Sequence, residues 1–310
     1  MILAFVFPGQ GSQSVGMMGG FESLPAVRRT FDEASSSLGS DLWTLVSSGP
    51  DEELNKTVNT QPAMLTAGVA LFRAWQDLGG VEPALLAGHS LGEYSALVAA
   101  GVLELKDAVP LVRFRAQAMQ EAVPEGEGAI AAILGLDDEA VLAVCREAAD
   151  TGVAEAANFN SPGQVVIAGE AAGVRRAIEL AKARGAKRAV LLPMSVPSHC
   201  SLMRPAAERL SERLTLMSLR PPKLRVINNA DVAAEVAPER IRSALTRQLY
   251  SPVRWVESVT ALARAGVQEV VECGPGGVLA TLCRRIAPDL KVTAPKDAAA
   301  LEELAIQSRQ

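Results

Sequence analysis

The sequence predicts an α/β fold in which a parallel-sheet body carries an inserted ferredoxin-like βαββαβ unit. Three observations predict it. Wholly apolar runs of strand length, ILAFVF at 2–7 and LLAG at 85–88, alternate with helical stretches, as in a sheet buried on both faces. Between residues 127 and 196 the rhythm changes to strand, helix, two strands, helix and strand. The chain has 310 residues, 49% hydrophobic and 21% charged, which suffices for a large core of about two domains and excludes a disordered chain.

In chain order, the run at 2–7 is stopped by Pro8-Gly9 and reads as a first strand. A helix follows at 62–78, then the short buried strand at 85–88 and a helix over GEYSALVAA at 92–100. Residues 106–122 read as a helix with Pro110 in its first turns, where proline is tolerated. The insert begins with a strand at 128–136 and a helix at 137–149 whose first turn is acidic. Strands at 154–159 and 164–169 flank Asn160-Ser161-Pro162-Gly163, a turn sequence. A helix at 171–184 and a strand at 188–193 complete it. Helix and strand then resume as far as GVQEVVECGPGG at 266–277, a strand ending in a glycine-rich turn, and AAALEELAI reads as a last helix before a frayed tail. The expected division is a body of 1–126 and 197–310 around an insert of 127–196.

Composition narrows the function. A net charge of −5 and only 4% aromatics argue against nucleic-acid binding. Cys145, Cys200, Cys273 and Cys283 are scattered without a CxxC pair, so neither a disulfide framework nor a metal site is expected. The opening MILAFVF has no basic flank and no cleavage-like site, so a signal peptide is not expected. The longer apolar stretches are broken before they reach membrane-spanning length, and a cytoplasmic setting without membrane association is expected. Two histidines, His89 and His199, are the only imidazoles available for acid–base chemistry.

The chemistry centres on Gly88-His89-Ser90-Leu91-Gly92, a GxSxG motif between a strand and a helix. Such a turn lifts the serine hydroxyl above the sheet and leaves no room for Cβ atoms beside it, hence the glycines. It also aims the Leu91 N–H, at a helix start, toward the same spot. His89 reads as support for the turn, pointing off its other side. His199, in the loop VPSHC after a strand, reads as the base for Ser90. No Asp or Glu lies between Glu179 and Glu208, so the acid of an ordinary esterase triad is missing from that stretch. Cys200 reads as a buried structural thiol. The glycines at 9, 11 and 16 do not fit the GxGxxG spacing of a dinucleotide loop. Arg113 and Arg115 sit on one helix, either on a solvated face or as partners for a substrate carboxylate.

Seven blocks run through the chain: FPGQGSQ at 7–13, TQPA at 60–63, GHSLGEYSALV at 88–98, NFNSPGQVVIAG at 158–169, VPSHC at 196–200, RQLYSPVRW at 247–255 and ECGPGGVL at 272–279. In order and spacing they resemble the bacterial malonyl-CoA–acyl carrier protein transacylases over nearly the whole chain. The resemblance implies an α/β-hydrolase-like body with a ferredoxin-like subdomain. It implies Ser90 as the acylated nucleophile, His199 as general base, and the N–H groups of Gln10 and Leu91 as the oxyanion hole. It further implies that the Gln248 main-chain carbonyl orients His199, in place of the missing acid. Arg115, selected over Arg113 by the AMQEAV that follows, would bind the malonyl carboxylate, with Gln61 and Asn160 lining the pocket. Lys187, Arg188 and Arg285 would lie near the cleft where coenzyme A or carrier protein docks; Lys187 and Arg188 end a basic stretch at 175–188 that otherwise reads as a solvated face. The implied reaction moves malonyl from malonyl-CoA to the phosphopantetheine thiol of acyl carrier protein for fatty acid synthesis, by a monomer with no tightly bound cofactor. Related alternatives are a discrete acyltransferase of polyketide synthesis and the transacylase subunit of malonate decarboxylase. Less expected are a serine esterase, which Arg115 and the absent acid oppose, and a non-catalytic scaffold that binds carrier protein.

Overall fold

The structure is a computed structural model and describes residues 2–193 and 196–310. Among these residues nine strands form two sheets. The body contributes β1 (Leu3–Phe7) and β2 (Leu85–Gly88). The insert contributes β3 (Gly128–Leu134), β4 (Ala154–Ser161), β5 (Gln164–Glu170) and β6 (Arg188–Leu191). The chain then returns to the body for β7 (Arg225–Ile227), β8 (Glu269–Glu272) and β9 (Lys291–Thr293).

The body sheet has the order β7-β2-β1-β8-β9, with every pairing parallel. Its two-residue period explains the apolar runs. Leu3, Phe5, Phe7 and Leu86 enter one core, while Ala4, Val6, Leu85 and Ala87 enter the core on the opposite face. On the first face Phe5 meets the edges of Phe72 and Trp75 at 5.9 and 5.0 Å, which docks the long helix Thr57–Asp77. The helices Trp255–Arg264 and Val278–Ile286 cover the second face.

The insert's sheet has the order β4-β5-β3-β6 and is wholly antiparallel, the ferredoxin-like arrangement read from the sequence. The helices Asp138–Ala148 and Ala171–Ala183 close a separate core around Ile133, Val144, Ile167 and Val174. Its expected residues Met194 and Ser195 lie outside the described residues.

Several boundaries differ from expectation. β4 runs through Asn160 and Ser161, so the turn is only Pro162-Gly163, with Gly163 at φ 71°. The ladder to β5 outweighs the turn preference of Asn160. The long helix starts at Thr57 and holds Pro62 inside it rather than at its start. β6 stops at Leu191.

Two joints tie insert to body. Val253 accepts from the Phe159 N–H at 3.0 Å and donates to the Ala157 carbonyl at 2.9 Å. The Glu155 carboxylate accepts from the Ser201 N–H and hydroxyl, both at 2.7 Å. The loop that carries His199 is thereby fixed against the open face of the insert's sheet, where Cys200 packs with Ile130 and Ala168.

Candidate active site

A cleft of about 600 Å³ opens between the ends of β1 and β2 and the open face of the insert's sheet. Gln10, Gln61, Ser90, Leu91, Arg115, Asn160 and His199 all line it, so the structure brings seven of the expected residues together.

Ser90 sits at the apex of the elbow with φ 51°, a left-handed conformation that L residues rarely adopt. The flanking glycines make that apex possible. A Cβ on Gly92 would stand 1.9 Å from the Phe7 carbonyl oxygen, and one on Gly88 would stand 1.9 Å from the Gly92 carbonyl carbon. Gly92→Ala is therefore expected to cost about 3 kcal/mol or more of unfolding free energy. Urea denaturation measures it, and an unchanged midpoint would contradict the packing.

Ser90 Oγ lies 2.7 Å from His199 Nε2. His199 Nδ1 lies 2.8 Å from the Gln248 main-chain carbonyl oxygen. A carbonyl only accepts, so Nδ1 carries the proton and Nε2 presents a lone pair to the serine hydroxyl. His199 is itself left-handed, φ 64°, and its N–H donates to the Leu249 carbonyl at 2.9 Å. A carbonyl thus stands where a triad carboxylate would stand.

Burial, and then the charge of Arg115, push His199 down to about 3; burial also lowers His89. A depressed histidine pKa leaves the neutral, basic form in place at every pH above it. His199 is expected to show the neutral pattern in histidine nitrogen NMR down to about pH 5.5, and His89 to titrate below the ordinary histidine value. Titration of either near 6.5 would contradict the burial of the pair.

Arg115 is 1% exposed. One guanidinium nitrogen donates to Gln61 Oε1 at 3.0 Å. The other donates to Gln248 Oε1 at 3.0 Å and to Ser90 Oγ at 3.3 Å. Its carbon lies 5.4 Å from the centre of the Tyr94 ring. Burial lowers its pKa from the ordinary arginine value, yet guanidinium stays charged in proteins. Among the described residues Arg115 has no carboxylate within ion-pair distance, and its Nε has no acceptor. Arg113 faces a separate surface hollow beside Leu38 and Pro62.

The N–H groups of Gln10 and Leu91 donate to no protein acceptor among the described residues, and both residues line the cleft. Gly9 lets the two loops meet, since a Cβ there would lie 2.6 Å from the His89 carbonyl oxygen.

His89 makes no contact with the Ser90 hydroxyl; its Nε2 lies 2.8 Å from Asn160 Oδ1 and its ring centre 5.5 Å from that of Trp255. It supports the turn, as a bridge from the elbow to β4 of the insert. Lys187, Arg188 and Arg285 do not line the cleft. Lys187 lies against Gly135, Arg188 pairs opposite Leu134 on an outer strand, and Arg285 donates to Gln164 Oε1 across the joint at 3.0 Å. Cys200 donates to the Pro197 carbonyl, and burial pushes its thiol up to about 12, out of nucleophilic range.

Two residues of this network carried no sequence expectation. Asn229 Oδ1 accepts the Ser90 N–H at 2.7 Å, and Asn229 Nδ2 donates to the Gly88 carbonyl at 2.6 Å. Glu93, 2% exposed, accepts from the Asn229 N–H and from Gln248 Nε2, both at 2.8 Å. Burial raises Glu93 to about 7, against the pull of those two donors and of Arg115. The available signals were a glutamate inside the apolar GEYSALV and an Asn-Asn pair straight after a buried strand. Among the described residues no group of three or more His, Cys, Asp and Glu is placed to hold a metal ion, and no helix is long and apolar enough to cross a membrane.

Comparison with known proteins shows the family. The acyl transferase domain family matches residues 4–297. A malonyl CoA-acyl carrier protein transacylase of Escherichia coli is 56% identical over 299 residues, covering 96% of this chain and 97% of the relative. The chain belongs to the malonyl CoA-acyl carrier protein transacylase family. A solved acyl-carrier-protein S-malonyltransferase of Burkholderia pseudomallei superposes with TM-score 0.97 at 57% identity, covering 99% of this chain and all of that one. A malonyl-transacylase solved in complex with a type II PKS acyl-carrier protein is 52% identical with TM-score 0.97, covering 99% of this chain and 100% of that chain. Members of the transacylase family thus share the fold of this chain over nearly its full length.

Proposed function

We propose that the protein transfers malonyl from malonyl-CoA to the phosphopantetheine thiol of acyl carrier protein through a malonyl-serine intermediate. The observation that carries this reading is Arg115: a buried guanidinium without a carboxylate partner, in reach of the Ser90 hydroxyl. An acyl group that places its own carboxylate against that guanidinium has its thioester carbonyl over Ser90.

In the first step His199 Nε2 takes the Ser90 proton as Oγ attacks the thioester carbonyl. The N–H groups of Gln10 and Leu91 receive the oxyanion. The C–S bond breaks, and the coenzyme A sulfur leaves with the proton from His199. In the second step His199 takes the carrier thiol's proton, the thiolate attacks the serine ester, and Ser90 regains its proton as its C–O bond breaks. The substrate carboxylate also offsets the Arg115 charge that depresses His199, so substrate binding strengthens the base.

No tightly bound cofactor enters this scheme. Lys187, Arg188 and Arg285, cationic and outside the cleft, suit the phosphates of coenzyme A or an acidic carrier surface. The division of the chain at 127–196 belongs to the same reading, supported by the insert's own core. The protein acts as a monomer in the cytoplasm, a reducing compartment that suits four unpaired cysteines.

Intact-mass measurement after exposure to malonyl-CoA tests the reading. One malonyl adduct on the peptide of Ser90, discharged by carrier protein, is expected; release of free malonate with no loaded carrier would overturn it. A second reading, service to polyketide synthesis, draws on the relative solved with a type II PKS acyl-carrier protein. Rates with a fatty-acid carrier and a polyketide carrier decide between the two acceptors.

A further inference from the structure

Gln248 stands at the crossing of the site. Its main-chain carbonyl accepts the His199 proton at 2.8 Å, and its side-chain Oε1 accepts from Arg115 at 3.0 Å. Its Nε2 donates to the Ser90 carbonyl at 3.0 Å and to Glu93 at 2.8 Å. The amide therefore lies between a cation and an acid. Turned over, it would face Arg115 with N–H groups and Glu93 with an oxygen, losing both bonds. Glu93 Oε2 takes the Asn229 N–H as well, and Asn229 in turn holds the Ser90 N–H. One buried carboxylate is thus a single residue removed from the nucleophile, the base and the arginine, and touches none of them.

We propose that Glu93 is a positioning residue: it holds the Gln248 amide in the one orientation that presents Oε1 to Arg115 and keeps the Gln248 main chain against His199. This inference rests on the malonyl-transfer reading. Its acting oxygen is an acceptor of two donors, a task the single amide oxygen of glutamine can also perform. Alanine cannot. It leaves space that water fills, satisfying the donors without fixing the direction of the amide. Aspartate keeps the charge but withdraws the oxygen from Gln248 by about one bond length.

The test compares Glu93→Ala, Glu93→Gln and Glu93→Asp with the wild-type enzyme, measuring kcat and KM for malonyl transfer at about pH 8. Glu93→Ala is expected to raise KM for malonyl-CoA about 10-fold and lower kcat about 100-fold while it remains folded by circular dichroism. Glu93→Gln should recover most of that loss. In an Arg115→Ala background Glu93→Ala should change KM less than about threefold, because its effect on KM runs through Arg115. Wild-type kinetics in a folded Glu93→Ala, or a loss in Glu93→Gln equal to that in Glu93→Ala, would overturn the inference. If Glu93→Ala does not fold, Glu93→Asp carries the test, with about a 10-fold loss of kcat/KM expected and unchanged kinetics overturning it. A wild-type enzyme that transfers no malonyl at all would instead overturn the reading on which the inference rests.

Discussion

Ser90→Ala is expected to leave a folded protein that accepts no malonyl adduct and transfers malonyl about 10⁴-fold more slowly, or not measurably. The substitution removes a single oxygen. The Ser90 N–H keeps its bond to Asn229, and the left-handed apex at φ 51° costs alanine no more than serine. The turn therefore survives, and the loss reports chemistry. His199→Ala should cost nearly as much, because a hydroxyl without its base is a weak nucleophile at neutral pH. The double variant should be no slower than the worse single one, since the two residues act as a unit. Cys200 cannot substitute for Ser90, with its thiol pushed up to about 12 and bonded to the Pro197 carbonyl. Wild-type transfer by Ser90→Ala would remove the serine from the mechanism.

The contrast between what the sequence revealed and what it hid follows from how each residue acts. Ser90 was legible because its turn constrains neighbours: two glycines are needed where Cβ atoms would collide with backbone. The buried strands were legible because both faces of β1 and β2 are apolar and leave an unbroken run. Strands β7 and β9 have three residues each, too short to carry a period. The orienting group for His199 leaves no mark of its own, because every residue has a main-chain carbonyl; only resemblance pointed to Gln248. Glu93 and Asn229 meet across 136 positions of sequence, and no local pattern announces that contact. The partner of His89 was hidden because Asn160 lies on a strand of the insert, 71 positions away.

Arg115→Ala is expected to lower kcat/KM for malonyl transfer by about 1,000-fold and to reduce the preference for malonyl over acetyl by a similar factor. A guanidinium 1% exposed is held by Gln61, Gln248 and Ser90 oxygens, all uncharged. Neutral acceptors compensate burial of that charge only in part, and a bidentate carboxylate completes the compensation. A malonyl group supplies it. An acetyl group supplies no carboxylate and would leave the buried cation incompletely compensated, so the wild-type site should discriminate by penalty against acetyl as well as by attraction to malonyl. Alanine removes both halves at once: the attraction is lost from malonyl, and the penalty is lifted from acetyl. The space left is lined by polar oxygens that water can satisfy, so the fold should persist. Arg115 is the second cause, after burial, of the low pKa of His199, so its removal should move the His199 titration upward, toward the ordinary histidine value. Steady-state kinetics with malonyl-CoA and acetyl-CoA, beside histidine nitrogen NMR, read all three effects on one protein. Unchanged malonyl kinetics in Arg115→Ala would exclude this arginine from acyl recognition and leave the reaction class without its deciding contact.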